Sequence, residues 1–205
     1  MTQTQMRLFV AVMLPSGLQD GIRRVSRSWP NLREFKRARA AAEYHFTLKF
    51  LGDVEPSDAS AVADALEPAF RDIEPCQVSL GQFGAFPTED RAAVLWWGAD
   101  VGGDGVTKCA ACADDALEPL GFDRETRSFT PHITLSRIRP PAHLVSWLAK
   151  KNRPTGAGGT PANRFDPSFE VREVSLVRSE LTRQGAHYHR VRSYALGGGL
   201  RRSHE

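Results

Sequence analysis

Hydrophobic residues recur along the chain with two spacings, every second residue in some segments and every third or fourth in others. Alternating or short continuous apolar runs predict strands near residues 7–14, 44–51, 77–83, 92–98, 129–137, 169–181 and 191–196. Helical spacing predicts amphipathic helices near residues 16–30, 57–70, 106–120 and 144–148. The pattern therefore predicts strands and helices mixed along the whole chain.

Two of the predicted strands carry the same core letters. The first contains His45-Phe46-Thr47-Leu48 and the second contains His132-Ile133-Thr134-Leu135. A turn and an amphipathic helix follow each copy, so the setting is repeated as well as the letters. This repetition predicts two related lobes.

Successive strand side chains point to opposite faces, so His45 and Thr47 share one face, as do His132 and Thr134. An imidazole has an unperturbed pKa of about 6.5, which lets a pair of histidines act as one base and one acid. A base and an acid are what in-line displacement at phosphorus needs, and hydroxyls can bind the non-bridging oxygens. One copy alone is more typical of a structural histidine, but two copies in one setting favour catalysis.

Composition and charge narrow the class of protein. The 205 residues are 41% hydrophobic and 25% charged, which is typical of a globular protein and excludes a fibre or a disordered tail. A net charge of +3 is too small for wrapping DNA or coating a membrane, so any nucleic acid is contacted locally. The apolar run 8–14 is too short to span a bilayer, and we expect a cytoplasmic protein without a disulfide framework.

Around these motifs the chain resembles the two-histidine phosphoesterases, and within them the RNA 2′,3′-cyclic phosphodiesterases once named 2′-5′ RNA ligases. The resemblance extends from about residue 6 to residue 196. The segments that carry it are Arg7-Leu8-Phe9-Val10-Ala11, His45-Phe46-Thr47-Leu48-Lys49-Phe50-Leu51-Gly52, Val94-Leu95-Trp96, Gly121-Phe122, Phe129-Thr130-Pro131-His132-Ile133-Thr134-Leu135-Ser136-Arg137, Ser179-Glu180-Leu181, Gly185 and Tyr188.

The resemblance implies a bilobal α+β fold in which two antiparallel sheets flank a central cleft. Helices lie outside, and a pseudo-twofold axis relates the lobes. We expect one such domain over residues 1–205, with a mobile Gly- and Pro-rich loop at about 152–163 and a frayed end at about 200–205.

The same resemblance implies the reaction and its residues. His45 would be the general acid and His132 the general base, acting on RNA with a 2′,3′-cyclic phosphate end or on a related cyclic nucleotide. Thr47 and Thr134 would bind the phosphate. Reversible 2′-5′ ligation of RNA at the same site is an alternative, as is a module that binds RNA ends without catalysis. We expect a monomer.

Arg137 and Tyr188 are the candidate substrate-binding residues, both placed by the resemblance. Strict alternation puts Arg137 on the strand face opposite His132, so it reaches the cleft only if the strand bends or ends by Ser136. The alternative for Arg137 is a solvated cation at a strand end.

Other candidate sites have plainer interpretations. Cys109 and Cys112 have the spacing of a redox or zinc pair but lie in a helical apolar pattern, which favours buried thiols. His187 and His189 share a strand face without an evident third ligand, which favours an exposed edge strand. We therefore expect no metal site and no cofactor.

Overall fold

The computed structural model describes residues 5–27, 39–40, 43–152, 165–182 and 185–198. The strands are β1 (Met6–Met13), β2 (Arg39–Ala40), β3 (His45–Val54), β4 (Cys76–Phe86), β5 (Ala92–Val101), β6 (His132–Ala142), β7 (Ser168–Val171), β8 (Glu173–Thr182) and β9 (Gly185–Ala195). The helices are α1 (Ser16–Arg27), α2 (Ala59–Ala69), α3 (Gly103–Leu117) and α4 (Val145–Lys151), and a 3-10 turn at Glu118–Leu120 follows α3. The predicted loop beyond Asn152 and the predicted frayed end lie outside the described residues.

The strands pair in the order β7-β4-β5-β6-β3-β1-β8-β9, and β2 pairs with β6 beside this row. Every pairing is antiparallel. The two motif strands, β3 and β6, are central neighbours and meet at one registered pair, Phe46 with Ile133. The two expected sheets are thus joined by hydrogen bonding into one, with their junction between the two motifs.

Several predicted boundaries differ from the observed elements. β6 continues through Pro140 and Pro141 to Ala142, where the sequence suggested an end at Arg137. Residues 169–181 form two strands, β7 and β8, instead of one. Gly102 has a φ of 74° and precedes the first turn of α3, so the glycine-rich segment begins a helix.

The two faces of the sheet are packed differently. The main core lies on the face of β1 that carries Leu8, Val10 and Val12, and it includes the buried apolar residues of α1, α2, α3 and α4. On the other face, Phe9, Ala11 and Val177 form a small separate cluster. The second face is where the motif histidines lie.

Lys49 is a charged residue within the main core, 7% exposed. Its ammonium pairs with the carboxylate of Asp114 on α3 and donates a hydrogen bond of 2.6 Å to the Asp123 carbonyl oxygen. These contacts fix α3 and the segment after it against β3. Within the described ranges, no helix is long and apolar enough to cross a bilayer.

Candidate active site

A one-residue bulge interrupts β3 at the last residue of its motif. Val10 of β1 pairs with Lys49 and Ala11 pairs with Thr47, so Leu48 is an extra residue without a partner on β1. The bulge reverses the alternation of faces. Lys49 therefore points into the core, and Phe50, which is 66% exposed, points to the face of His45.

β6 contains the same bulge at the same place in its motif. Leu95 of β5 pairs with Ser136 and Trp96 pairs with Thr134, so Leu135 is the extra residue. Ser136 is buried, and Arg137 is exposed on the face of His132. Strict alternation, which put Arg137 on the opposite face, is wrong here, and the bulge supplies the bend on which its access to the site depended.

Both histidines make the same backbone contact. Nδ1 of His45 lies 3.1 Å from the Glu43 carbonyl oxygen, and Nδ1 of His132 lies 2.6 Å from the Thr130 carbonyl oxygen. A carbonyl oxygen can only accept, so Nδ1 carries the hydrogen in each ring. Nε2 is left to exchange protons: it is a base in the neutral ring and an acid in the protonated ring.

Two aromatic rings contact each imidazole. The His45 ring centroid lies 5.0 Å from that of Phe9 and 5.1 Å from that of Tyr188, which meets it edge to face. Tyr188, predicted from the resemblance, is thus next to the first histidine. The half-buried imidazole is thus packed against one ring from β1 and one ring from β9.

The second imidazole lies against Phe86 and Trp96, with centroid separations of 5.0 Å and 5.9 Å. Trp96 lies across the backbone of two glycines. A Cβ at Gly84 would stand 2.1 Å from Trp96 Cζ2, and one at Gly98 would stand 3.0 Å from Cζ3. The absence of a side chain at Gly84 leaves room for the indole beside His132, with the two ring planes tilted by 55°.

Burial lowers the pKa of both histidines. The pKa of His45 falls to about 4, mainly through burial, partly offset by the bond to the Glu43 carbonyl, with further lowering by Arg137 and His132. Burial also lowers the pKa of His132, and Arg137 adds to this. Both rings therefore favour the neutral form near pH 7, whereas the sequence suggested one neutral and one protonated ring.

The six residues predicted from the sequence lie on one face around the β3–β6 junction. The antiparallel order around Phe46 and Ile133 places Thr134 on the side of His45 and Thr47 on the side of His132. The charge of Arg137 acts on His45, His132 and Tyr188. Sequence reasoning missed Phe9, Phe50 and Phe86. The sequence did carry a signal of the bulge in β6, because Arg137 places a charge at a position where alternation requires an apolar residue facing the core.

The histidines and cysteines to which the sequence analysis gave structural roles lie outside the candidate active site. His187 and His189 are exposed on the edge strand β9, and His189 Nε2 lies 3.3 Å from the Glu180 carboxylate. Cys109 is buried in α3, where burial raises its pKa to about 12. The structure, over the ranges it describes, contains no group of three or more His, Cys, Asp or Glu side chains able to hold a metal.

An antiparallel sheet with two His-x-Thr strands at its centre fits the fold of a two-histidine phosphoesterase. A family model described as the 2′-5′ RNA ligase superfamily matches residues 14–183. The chain therefore belongs to the 2′-5′ RNA ligase superfamily.

Curated relatives agree with this assignment, and a solved structure agrees with the fold. An RNA 2′,3′-cyclic phosphodiesterase of Methanothermobacter thermautotrophicus is 29% identical over 184 residues, covering 90% of this chain and 95% of the relative. One from Aeropyrum pernix is 33% identical over 145 residues, covering 71% and 77%. The crystal structure of E. coli LigT complexed with 3′-AMP matches with a TM-score of 0.70 at 24% identity, covering 94% of this chain and 98% of LigT.

Proposed function

We propose that this protein hydrolyses the 2′,3′-cyclic phosphate at RNA ends and leaves a 2′-phosphate. The observation that carries the proposal is the pair of imidazoles on adjoining strands, each with Nδ1–H bound to a carbonyl oxygen and Nε2 available for proton transfer. Relatives that are 25% to 33% identical and are named RNA 2′,3′-cyclic phosphodiesterase support the substrate.

Each of the two Nε2 atoms carries out one proton transfer. Nε2 of neutral His132 takes a proton from a water molecule, whose oxygen forms a new bond to phosphorus. The bond from phosphorus to the 3′ oxygen breaks, and Nε2–H of protonated His45 gives its proton to that oxygen. The hydroxyls of Thr47 and Thr134 donate to the non-bridging oxygens, where charge rearranges in the transition state.

The acid role of His45 depends on the substrate's charge. Burial, Arg137 and His132 all favour the neutral ring. A cyclic phosphate carries a negative charge, and an anion beside an imidazole raises its pKa. Substrate binding and protonation of His45 are therefore coupled, so the acid is charged when the phosphate is in place.

Other residues on the face of the two histidines suit contacts with the base, the ribose and the phosphate of a nucleotide. Phe50 presents an exposed ring whose centroid lies 6.2 Å from that of Phe9, which in turn contacts His45. Exposed aromatic rings stack on bases with little sequence preference. We assign Phe50 to the base, and Arg137 with Tyr188 to the phosphate and ribose.

We also infer that residues 1–205 form one bilobal domain related by a pseudo-twofold axis. The order β1-α1-β3-α2 in one half is repeated as β5-α3-β6-α4 in the other. Each half contributes its motif strand to the junction, and both motif strands carry the same bulge. A monomer in the cytoplasm is part of the same inference, and sedimentation of the purified protein would test the monomer.

The decisive experiment uses an oligonucleotide with a 2′,3′-cyclic phosphate end. The wild type should produce a 2′-phosphate end, and His45→Ala should not do so at a comparable rate. Because two imidazoles supply the acid and the base, activity should survive EDTA. Loss of activity in EDTA with recovery on adding Mg²⁺, Mn²⁺ or Zn²⁺ would contradict the two-histidine mechanism.

The same assay separates the alternatives. In an excess of RNA with a 5′-hydroxyl end, a 2′-5′ linked product would establish ligation at this site. Tight binding of the cyclic end without any change in it would establish a binding module. The paired Nε2 atoms favour catalysis, because binding alone does not require an acid and a base.

A further inference from the structure

The sheet opens between β5 and β6 just beyond the candidate active site. Val94 pairs with Arg137, and the next pair is Ala92 with Ala142, so residues 138–141 lie opposite Ala93 alone. Pro140 and Pro141 have no N–H to donate to a neighbouring strand. A cavity of about 430 Å³ occupies this gap, lined by Ala93, Val94, Arg137, Ile138, Arg139, Pro140 and Pro141.

Two arginines stand on the rim of this cavity. Arg137 and Arg139 are exposed, while Ile138 between them is buried, so both cations are on the same side of β6. Two residues along a strand advance by about 7 Å. The ion pairs within the described part of the chain include neither Arg137 nor Arg139, and a guanidinium binds phosphate oxygens through charge-assisted hydrogen bonds.

Arg137 belongs to both the cavity and the candidate active site. This arginine lines the cavity, and its charge also acts on His45 and His132. Beyond Arg137 the lining is apolar apart from Arg139, with two prolines, an alanine, a valine and an isoleucine. An open, largely apolar pocket flanked by cations suits a nucleobase attached to a phosphodiester, because the base is apolar on its faces and the phosphodiester is an anion.

We propose that this cavity binds the nucleotide that precedes the cyclic ribose, with the connecting phosphodiester on Arg139. The inference rests on the proposed function, because that reaction places a cyclic phosphate between the two histidines. It assigns a preference: the protein acts on the end of an RNA chain in preference to a mononucleoside 2′,3′-cyclic phosphate.

The test compares kcat/KM for a mononucleoside 2′,3′-cyclic phosphate, a dinucleotide with the same cyclic end, and that dinucleotide without its 5′ base. The wild type should prefer the complete dinucleotide over the mononucleotide by about tenfold or more, and removal of the 5′ base should cost several-fold. Arg139→Gln should lower the ratio of dinucleotide to mononucleotide kcat/KM by about 5- to 30-fold. Ala93→Leu, which fills the cavity, should lower the same ratio.

Arg71→Gln is the matched control, since Arg71 is an exposed arginine after α2 and should leave the ratio unchanged. Equal kcat/KM for the two complete substrates in the wild type would overturn this inference alone, as would an unchanged ratio in Arg139→Gln. A wild type that opens neither substrate would overturn the proposed function and this inference together.

Discussion

The motif strands β3 and β6 are alike where they carry the chemistry. Each has a histidine whose Nδ1 binds the carbonyl two residues earlier, two aromatic rings against the imidazole, and a bulge at the leucine after the threonine. The repeated bulge matters most for the face that substrate meets. It turns the second residue after the leucine, Phe50 in β3 and Arg137 in β6, to the side of the histidines.

The strands differ at the two positions that follow the bulge. The inward residue is Lys49 in β3 and Ser136 in β6, and the outward residue is Phe50 in β3 and Arg137 in β6. A nucleotide is itself asymmetric, with an aromatic base at one end and charged phosphate at the other. In the proposed mechanism, the repeat would supply matched acid and base groups, and the positions after the bulge would orient the substrate.

The largest expected effect comes from replacing the histidines, which the two motif strands have in common. His45→Ala and His132→Ala should each lower turnover of a cyclic-phosphate RNA end by about 100- to 10,000-fold, because each removes one proton-transfer group. The double variant should lose far less than the product of the two factors, since acid and base act in one step. Strict multiplication of the two factors would mean independent roles, and His187→Ala on the exposed edge strand is the control.

Substitutions at the two inward positions, Lys49 and Ser136, should have the next largest effect, which is a loss of folding stability. Lys49→Met leaves the Asp114 carboxylate without its partner in a largely buried setting, and breaking such a pair costs about 3 kcal/mol or more. Ser136→Ala, the equivalent change in β6, should cost about 1 kcal/mol. Urea denaturation measures both. Adding Asp114→Asn to Lys49→Met should recover much of the loss, and no recovery would show that Lys49 stabilises by packing instead.

Much of the fold was accessible from the sequence because apolar periodicity reports local structure. The segments around β1, α2 and α3 were predicted within a few residues, as was the first motif strand, whereas the second motif strand extends five residues beyond its predicted end. The candidate histidines followed from the repeated His-x-Thr letters. Local periodicity could not give the single registered pair that joins the halves, because strand neighbours are chosen by packing over long separations in sequence.

The bulge shows why the candidate site was only partly predictable. Alternation is a local rule, and it placed Arg137 away from His132. The extra residue at Leu135 arises from the register with β5, which no local pattern reveals. The burial of Lys49 was not predicted for the same reason, because it depends on Asp114 of α3, which is far away in the sequence. Phe50 was missed for the same reason, because alternation counts it as a core residue.

Burial of the imidazoles predicts a dependence of stability on pH. The pKa of His45 is lowered from 6.5 to about 4 in the folded protein, so the unfolded chain binds more protons between these values. The stabilisation is complete above pH 6.5 and is lost as pH falls toward 4, by about 2 kcal/mol between pH 7 and pH 5. His45→Gln should flatten this slope and His187→Gln should not, measured by urea denaturation at each pH. An unchanged slope in His45→Gln would contradict the burial.

The smallest expected effects distinguish the roles of the two outward residues, Phe50 and Arg137. Phe50→Ala should lower kcat/KM for adenosine 2′,3′-cyclic phosphate by about 5- to 100-fold through lost stacking, while an abasic ribose 2′,3′-cyclic phosphate should lose little. Phe50→Tyr should restore the difference, and Val101→Ala, at another exposed apolar residue, is the control.

Arg137→Ala should behave in the opposite way and lower kcat/KM for both of these substrates by about tenfold or more, because it removes a cation from the shared phosphate. It should also move the pH profile of kcat/KM to higher pH, since Arg137 lowers the pKa of both histidines. That shift is the readout that a merely structural role would not produce. If Phe50→Ala and Arg137→Ala affected the two substrates in the same proportion, the outward positions would not divide base from phosphate, and the asymmetry between the strands would serve packing alone.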